Sequence, residues 1–96
     1  MRKNNEESLG SIIKQMLRQF RMEEKIMEVR IHAVWEKTMG NDINRLTDRI
    51  VFKEKVLVVY LRSAPLREEL SMAKTKIADM INKELESQVI KEILFR

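Results

Sequence analysis

The chain has no cysteine, which excludes disulfides, thiolate metal sites and cysteine nucleophiles together. It has one proline, Pro65, and two glycines, Gly10 and Gly40. No Walker loop, dinucleotide fingerprint or nucleophile elbow is present, and neither is an HExxH pair. Histidine occurs once, as His32 on a predicted helix, where a lone imidazole is ordinarily a surface or boundary residue. The adjacent carboxylates Glu23, Glu24 and Glu68, Glu69 fall near predicted helix starts, where the helix dipole accounts for them without catalysis. Ser63 precedes a helix but has no base in a motif with it. The sequence therefore predicts a protein that is not an enzyme and takes no metal, no cofactor and no small-molecule substrate. The longest apolar run, Val56 to Leu61, is far too short to cross a bilayer. The polar opening of the chain has no apolar core of a secretory signal, so a cytoplasmic protein away from the membrane is expected.

What is present is charge and hydrophobic periodicity. Charged residues make up 35% of the chain, and 19 basic against 15 acidic side chains leave a net charge of +4. That excess suits a polyanionic partner held weakly, through a few salt-sensitive contacts. The length fits one domain, with residues 1–7 as a disordered tail and 8–96 as a single α+β unit.

Ser8 is a candidate N-cap for a first helix. Leu9, Ile12, Ile13, Met16, Leu17 and Phe20 then recur at helical spacing and predict a core-facing stripe. On the opposite side Lys14, Arg18, Arg21 and Lys25 fall within about 60° of one another at 100° per residue. No acidic residue lies between Ser8 and Met22. Such a run is either an ordinary solvated helix face or a stripe that follows phosphates. A second helix is predicted from Glu23 to Thr38, capped by Gly40. Its two apolar lines are Ile26, Val29, Ala33 and Met27, Ile31, Val34, which predicts burial on two sides. Trp35 reads as a large core or boundary residue whose indole N–H needs a partner. Asn41 to Leu46 reads as a connector, with Leu46 tucked under the sheet.

Thr47 opens a strand with Ile50 and Phe52 on one face. Arg49, Lys53 and Lys55 form a basic hairpin tip, although the turn lacks the glycine usual in tight primed turns. The return strand, Val56 to Arg62, is apolar on both faces: Leu57, Val59 and Leu61 on one, Val56, Val58 and Tyr60 on the other. It is predicted to be central. Pro65 suits the first turn of a helix that keeps its apolar spacing through Leu66, Leu70, Ala73, Ile77, Met80, Ile81 and Leu85. A last strand is predicted from Val89 to Arg96, with Ile90 on the face opposite Ile93 and Phe95. Met16, Met27, Met39 and Met80 are expected as packing residues, Met22 and Met72 as exposed ones. The predicted order is helix, helix, strand, strand, helix, strand, an α+β fold with a three-stranded sheet packed with helices.

The residues Leu9, Gly10 and Ile12, then Trp35 with Gly40, then Leu46 and Thr47 stand in a distinctive order. Leu57, Val59, Leu61 and Ser63 follow, then Leu66 and Leu70, and Ile93, Leu94, Phe95 and Arg96 close the series. In this order and spacing, from Leu9 to Arg96, the chain resembles the DciA family of bacterial proteins. The resemblance implies a K-homology-like fold, nucleic-acid binding and a part in loading the DnaB-type replicative helicase. Gly10 and Gly40 do not form the Gly-x-x-Gly clamp of true K-homology domains.

Two functions are therefore expected. The first is a nucleic-acid-binding accessory of DNA replication that partners the replicative helicase and binds DNA, weakly and without sequence preference, through Lys14, Arg18, Arg21, Lys25, Arg49, Lys53 and Lys55. The second is a protein-interaction module, a homodimer or a docking domain without direct nucleic-acid binding, through Val56, Val58 and Tyr60.

Overall fold

No proline or glycine interrupts the chain between Ser11 and Met39, and the backbone there forms one helix, α1 (Leu9–Met39). The computed structural model describes residues 8–96, so the expected disordered tail, residues 1–7, lies outside the described residues. Two helices were expected here, meeting at Glu23. Nothing at Met22 or Glu23 breaks a helix, so the 31 residues run on as a single rod of about 46 Å. Ser8 caps it, its hydroxyl accepting the Ser11 N–H at 3.1 Å. Gly40 ends it at φ 88°, ψ 168°, a conformation open essentially to glycine alone.

The expected connector after Gly40 is instead a short helix, α2 (Asn41–Arg45). Leu46 is not tucked under the sheet but is 37% exposed. Strand β1 (Thr47–Lys53) and strand β2 (Val56–Leu61) then form an antiparallel hairpin in which Lys53 pairs with Val56. The turn is a tight two-residue one even without glycine: Glu54 and Lys55 both take positive φ, 52° and 68°. Ser63 caps α3 (Ala64–Met72), accepting the Leu66 N–H, with Pro65 in its first turn. The expected single long helix is broken at Ala73, whose ψ of 17° starts a new axis for α4 (Lys74–Leu85). The apolar spacing survives the break because both helices face the same core. Strand β3 (Glu92–Phe95) is shorter than expected and pairs in parallel with β2. The sheet order is β1-β2-β3, which makes β2 central as its sequence predicted.

All the helices among the described residues lie over one face of this sheet. The core joins Ile31 and Trp35 of α1 and Ile77, Ile81 and Leu85 of α4 to Leu57, Val59 and their neighbours on that face. Trp35 is 1% exposed, tilts against Phe95 at 6.1 Å between ring centres, and donates its indole N–H to Thr47 Oγ1 at 3.2 Å. Ile90 is buried rather than on the far face of a strand. Asn82, itself 3% exposed, holds that segment: its Oδ1 accepts the N–H groups of Val89 and Ile90, and its Nδ2 donates to the Ile90 carbonyl. Those bonds fold residues 88–90 against α4 before β3 begins.

Strands of four to seven residues span at most about 23 Å, half the length of α1. The sheet therefore covers only the second half of the helix. The first half projects, and the molecule measures 62 × 26 × 20 Å. Its radius of gyration is 17.5 Å, against about 13 Å for a compact chain of this size.

Candidate nucleic-acid interface and the uncovered faces

Lys14, Arg18, Arg21 and Lys25 are all exposed along one side of α1. They border one open hollow together with Leu17 and Met22. The ion pairs among the described residues join Lys37 to Glu84, Arg45 to Asp42 and Arg62 to Asp48, His32 lies 3.9 Å from Glu36, and none of these contacts engages the row. The four cations thus share the helix face that their spacing predicted, exposed and without an ion pair among the described residues. A line of this kind can contact successive phosphates without reading bases.

The hairpin adds to one end of it. Lys53 lines a shallow hollow with Arg21 and Lys25. Two carboxylates share that hollow, Glu24 and Glu28, one helical turn apart. Each accepts a backbone N–H from the hairpin: Glu28 from Phe52 at 2.8 Å and Glu24 from Glu54 at 2.6 Å. They fasten the edge strand to the helix and offset part of the positive charge where helix and hairpin meet. Glu24 was expected at a helix start, serving the dipole. It lies in mid-helix, and its role is this bond. The only sequence signal was the spacing of Glu24 and Glu28 on the flank of the buried stripe.

The expected basic tip divides in two. Lys55 sits in the turn and borders a separate hollow with Phe20, Glu23 and Glu24. Arg49 is not at the tip: it stacks on the opposite, helix-free face of the sheet, its guanidinium 4.3 Å from the centre of the Tyr60 ring. Arg49 and Tyr60 are paired across β1 and β2, so the contact follows from the register.

Beyond Tyr60 that face carries Val51, Val56, Val58 and Leu94. All are half-buried by one another and by their strands, and none belongs to the core or to the residues packed on it. The sequence reading expected cover on at least part of both faces of β2. The helices cover one only. Val56, Val58 and Tyr60 do lie together, and the reading missed Val51 and Leu94, which the register brings beside them.

A second apolar surface lies in solvent where the sequence predicts core. Leu9, Ile12, Ile13, Met16, Leu17 and Phe20, the expected core stripe, are 42–73% exposed because they lie on the projecting half of α1. Ile26 and Val29, expected to be covered as one side of a sandwiched helix, are 61% and 69% exposed, since only the line through Met27, Ile31 and Val34 meets the body.

Among the described residues no group of three or more metal-binding side chains forms a cation site, and no helix is long and apolar enough to cross a membrane. A family model described as "Dna[CI] antecedent, DciA" matches residues 8–95. No curated protein and no solved structure matches the chain.

Proposed function

The chain belongs to the DciA family, whose role is linked to loading of the replicative helicase, and on that premise we propose that it is a DNA-binding accessory protein of that process, without catalysis of its own. The row Lys14, Arg18, Arg21 and Lys25, unpaired on an exposed helix edge and met at one end by Lys53, carries the DNA half of this reading. Four or five cations in line can neutralise about as many phosphates, which gives weak, sequence-independent binding with a strong salt dependence. Lys55 and Arg49 are auxiliary contacts, the second shared with the Tyr60 ring. Cytoplasmic DNA and the helicase are its partners.

Replacing Lys14, Arg18 and Arg21 together by Glu tests it. Fluorescence anisotropy with labelled single- and double-stranded DNA at low salt should lose all measurable binding in that variant. Undiminished affinity would take this surface out of the function.

The helix-free sheet face supports a second contact within the same function. Val51, Val56, Val58, Tyr60 and Leu94 are the half-buried apolar members of a face that no helix covers, and such a patch on a loader suits docking to the helicase. A pull-down of the replicative helicase by wild-type protein and by Val58→Lys distinguishes this docking from the DNA contact.

A further inference from the structure

The exposed and buried parts of α1 are one stripe. Leu9, Ile13, Met16 and Leu17 recur about five helical turns later as Met27, Ile31, Val34 and Trp35, in the same angular positions. The second set is covered by the protein's own sheet and α4, with Ile31 and Trp35 at 0% and 1% exposure. The first set has nothing of the described chain over it, and Leu9 and Met16 stand 73% and 63% exposed. We propose that the stripe from Leu9 to Phe20 pairs antiparallel with the same stripe of a second copy of this chain.

Three observations select a second copy as the occupant. The first is pattern. Leu9, Ile13, Met16 and Phe20 alternate at spacings of four and three, the seam of a two-helix coil, with Ile12 and Leu17 flanking it. The second is charge. No ionisable residue lies on the stripe between Leu9 and Phe20, so an identical face meets it without repulsion, whereas a charged partner would find nothing there to pair with. The third is area. At ordinary side-chain areas of roughly 150–250 Å², the six exposures amount to on the order of 500 Å² of apolar surface per copy. Two such faces closed on each other remove on the order of 1,000 Å², the lower edge of a specific interface.

The fold also fixes the direction. The globular body occupies the stripe side of α1 from Met27 onward. A parallel partner would have to run its own second half through that body. An antiparallel partner meets only the projecting half, and its body lies beyond the far end. In that arrangement Leu9 faces Phe20 of the other copy and Ile13 faces Met16. The incoming Leu9 arrives beside the hollow lined by Phe20, Met27, Phe52 and Val89, where the body begins. Lys14, Arg18, Arg21 and Lys25 lie on the far side of each helix and stay in solvent. The pairing itself does not depend on the DNA reading.

Sedimentation equilibrium of the full chain without DNA tests it. The mass should rise from 11.5 kDa toward twice that value as concentration increases through the micromolar range. Ile13→Glu with Met16→Glu should weaken the dimer by about a hundredfold or more, since it buries four carboxylates at the seam. Val58→Lys, on the sheet face, should not. A wild-type chain that stays monomeric throughout, or a dimer that survives the double substitution, overturns the proposal. Because the chain has no cysteine, introduced thiols report the geometry cleanly. A mixture of Leu9→Cys and Phe20→Cys proteins should cross-link on oxidation. Neither should do so alone, as like positions lie about 16 Å apart along the antiparallel pair. Self-linking of Phe20→Cys, or cross-linking of Arg18→Cys on the basic side, would refute the antiparallel seam.

Discussion

Replacing Asn82 by Ala should destabilise the protein more than any surface change, although no charge and little volume are lost. The side chain is 3% exposed and serves three backbone groups: the N–H of Val89 at 3.1 Å, the N–H of Ile90 at 2.8 Å and the carbonyl of Ile90 at 2.9 Å. Alanine leaves both Ile90 groups without a partner, while the Val89 N–H keeps its bond to the Ser87 carbonyl at 2.9 Å; Ile90 is 4% exposed, so water cannot replace the lost bonds unless the segment opens. At about 1 kcal/mol for each of these two orphaned groups, the loss is about 2 kcal/mol. That is a large share of the 5–15 kcal/mol by which a domain of this size is ordinarily stable. With an m-value of about 1–1.5 kcal/mol/M, the urea midpoint should fall by about 1.5 M. Trp35, the only tryptophan and almost wholly buried, gives the fluorescence signal. Asn82→Asp separates the contributions, since it keeps an oxygen for the two N–H groups and loses the donor to the carbonyl. A shift of less than about 1 kcal/mol for Asn82→Ala would refute the assignment of these bonds as the anchor of residues 88–90.

Neutralising the carboxylates that share the hollow with the cations should strengthen DNA binding. Glu24→Gln with Glu28→Gln keeps acceptors for the hairpin N–H groups, so affinity should rise several-fold while stability changes by less than about 1 kcal/mol. A salt titration of the wild type should give a slope of log K against log salt of about −4 on duplex DNA, and Arg18→Ala should reduce it by about one. Slopes that do not move with Arg18 would show that the helix edge is not the contact. Val58→Lys should leave the unfolding midpoint within about 1 kcal/mol of wild type, because Val58 faces the helix-free side; misfolding of this variant would mean the face is internally buried. Gly40→Ala should cost about 1–3 kcal/mol in urea unfolding. A Cβ at that position meets no atom within 4 Å, so the whole loss is backbone strain.

The sheet was legible because its residues carry both local and long-range signals. Ile50 with Phe52, and Leu57 with Val59 and Leu61, alternate at the strand period, and Pro65 after Ser63 marks where the strand gives way to helix. The basic row was legible for the same reason: Lys14, Arg18, Arg21 and Lys25 share a face in any helix that contains them. Periodicity shows which residues share a face but not what covers it. Leu9, Ile12, Met16 and Phe20 have the pattern of a buried stripe and lie on solvent, because the sheet is half as long as the helix, and sheet length relative to helix length is set by the tertiary fold. The continuity of α1 was hidden by Glu23 and Glu24, which look like a helix start. Glu24 turns out to hold the hairpin, a contact thirty residues away in sequence. Arg49 was grouped with Lys53 and Lys55 by proximity along the chain, whereas strand pairing puts its side chain on the Tyr60 ring.

A rod supported along only half its length cannot be equally durable at both ends. From Met27 to Met39 opening α1 means tearing side chains out of the core, so those amides should exchange with deuterium only as fast as the protein unfolds. From Leu9 to Met22 a free copy has little beyond its own backbone bonds, and fourteen residues of lone helix are marginal in water. Their amides should exchange far faster, along one unbroken spiral, and slow down when something seats on the stripe. Protection measured residue by residue thus reads out occupancy of that half directly, with no label and no knowledge of the ligand.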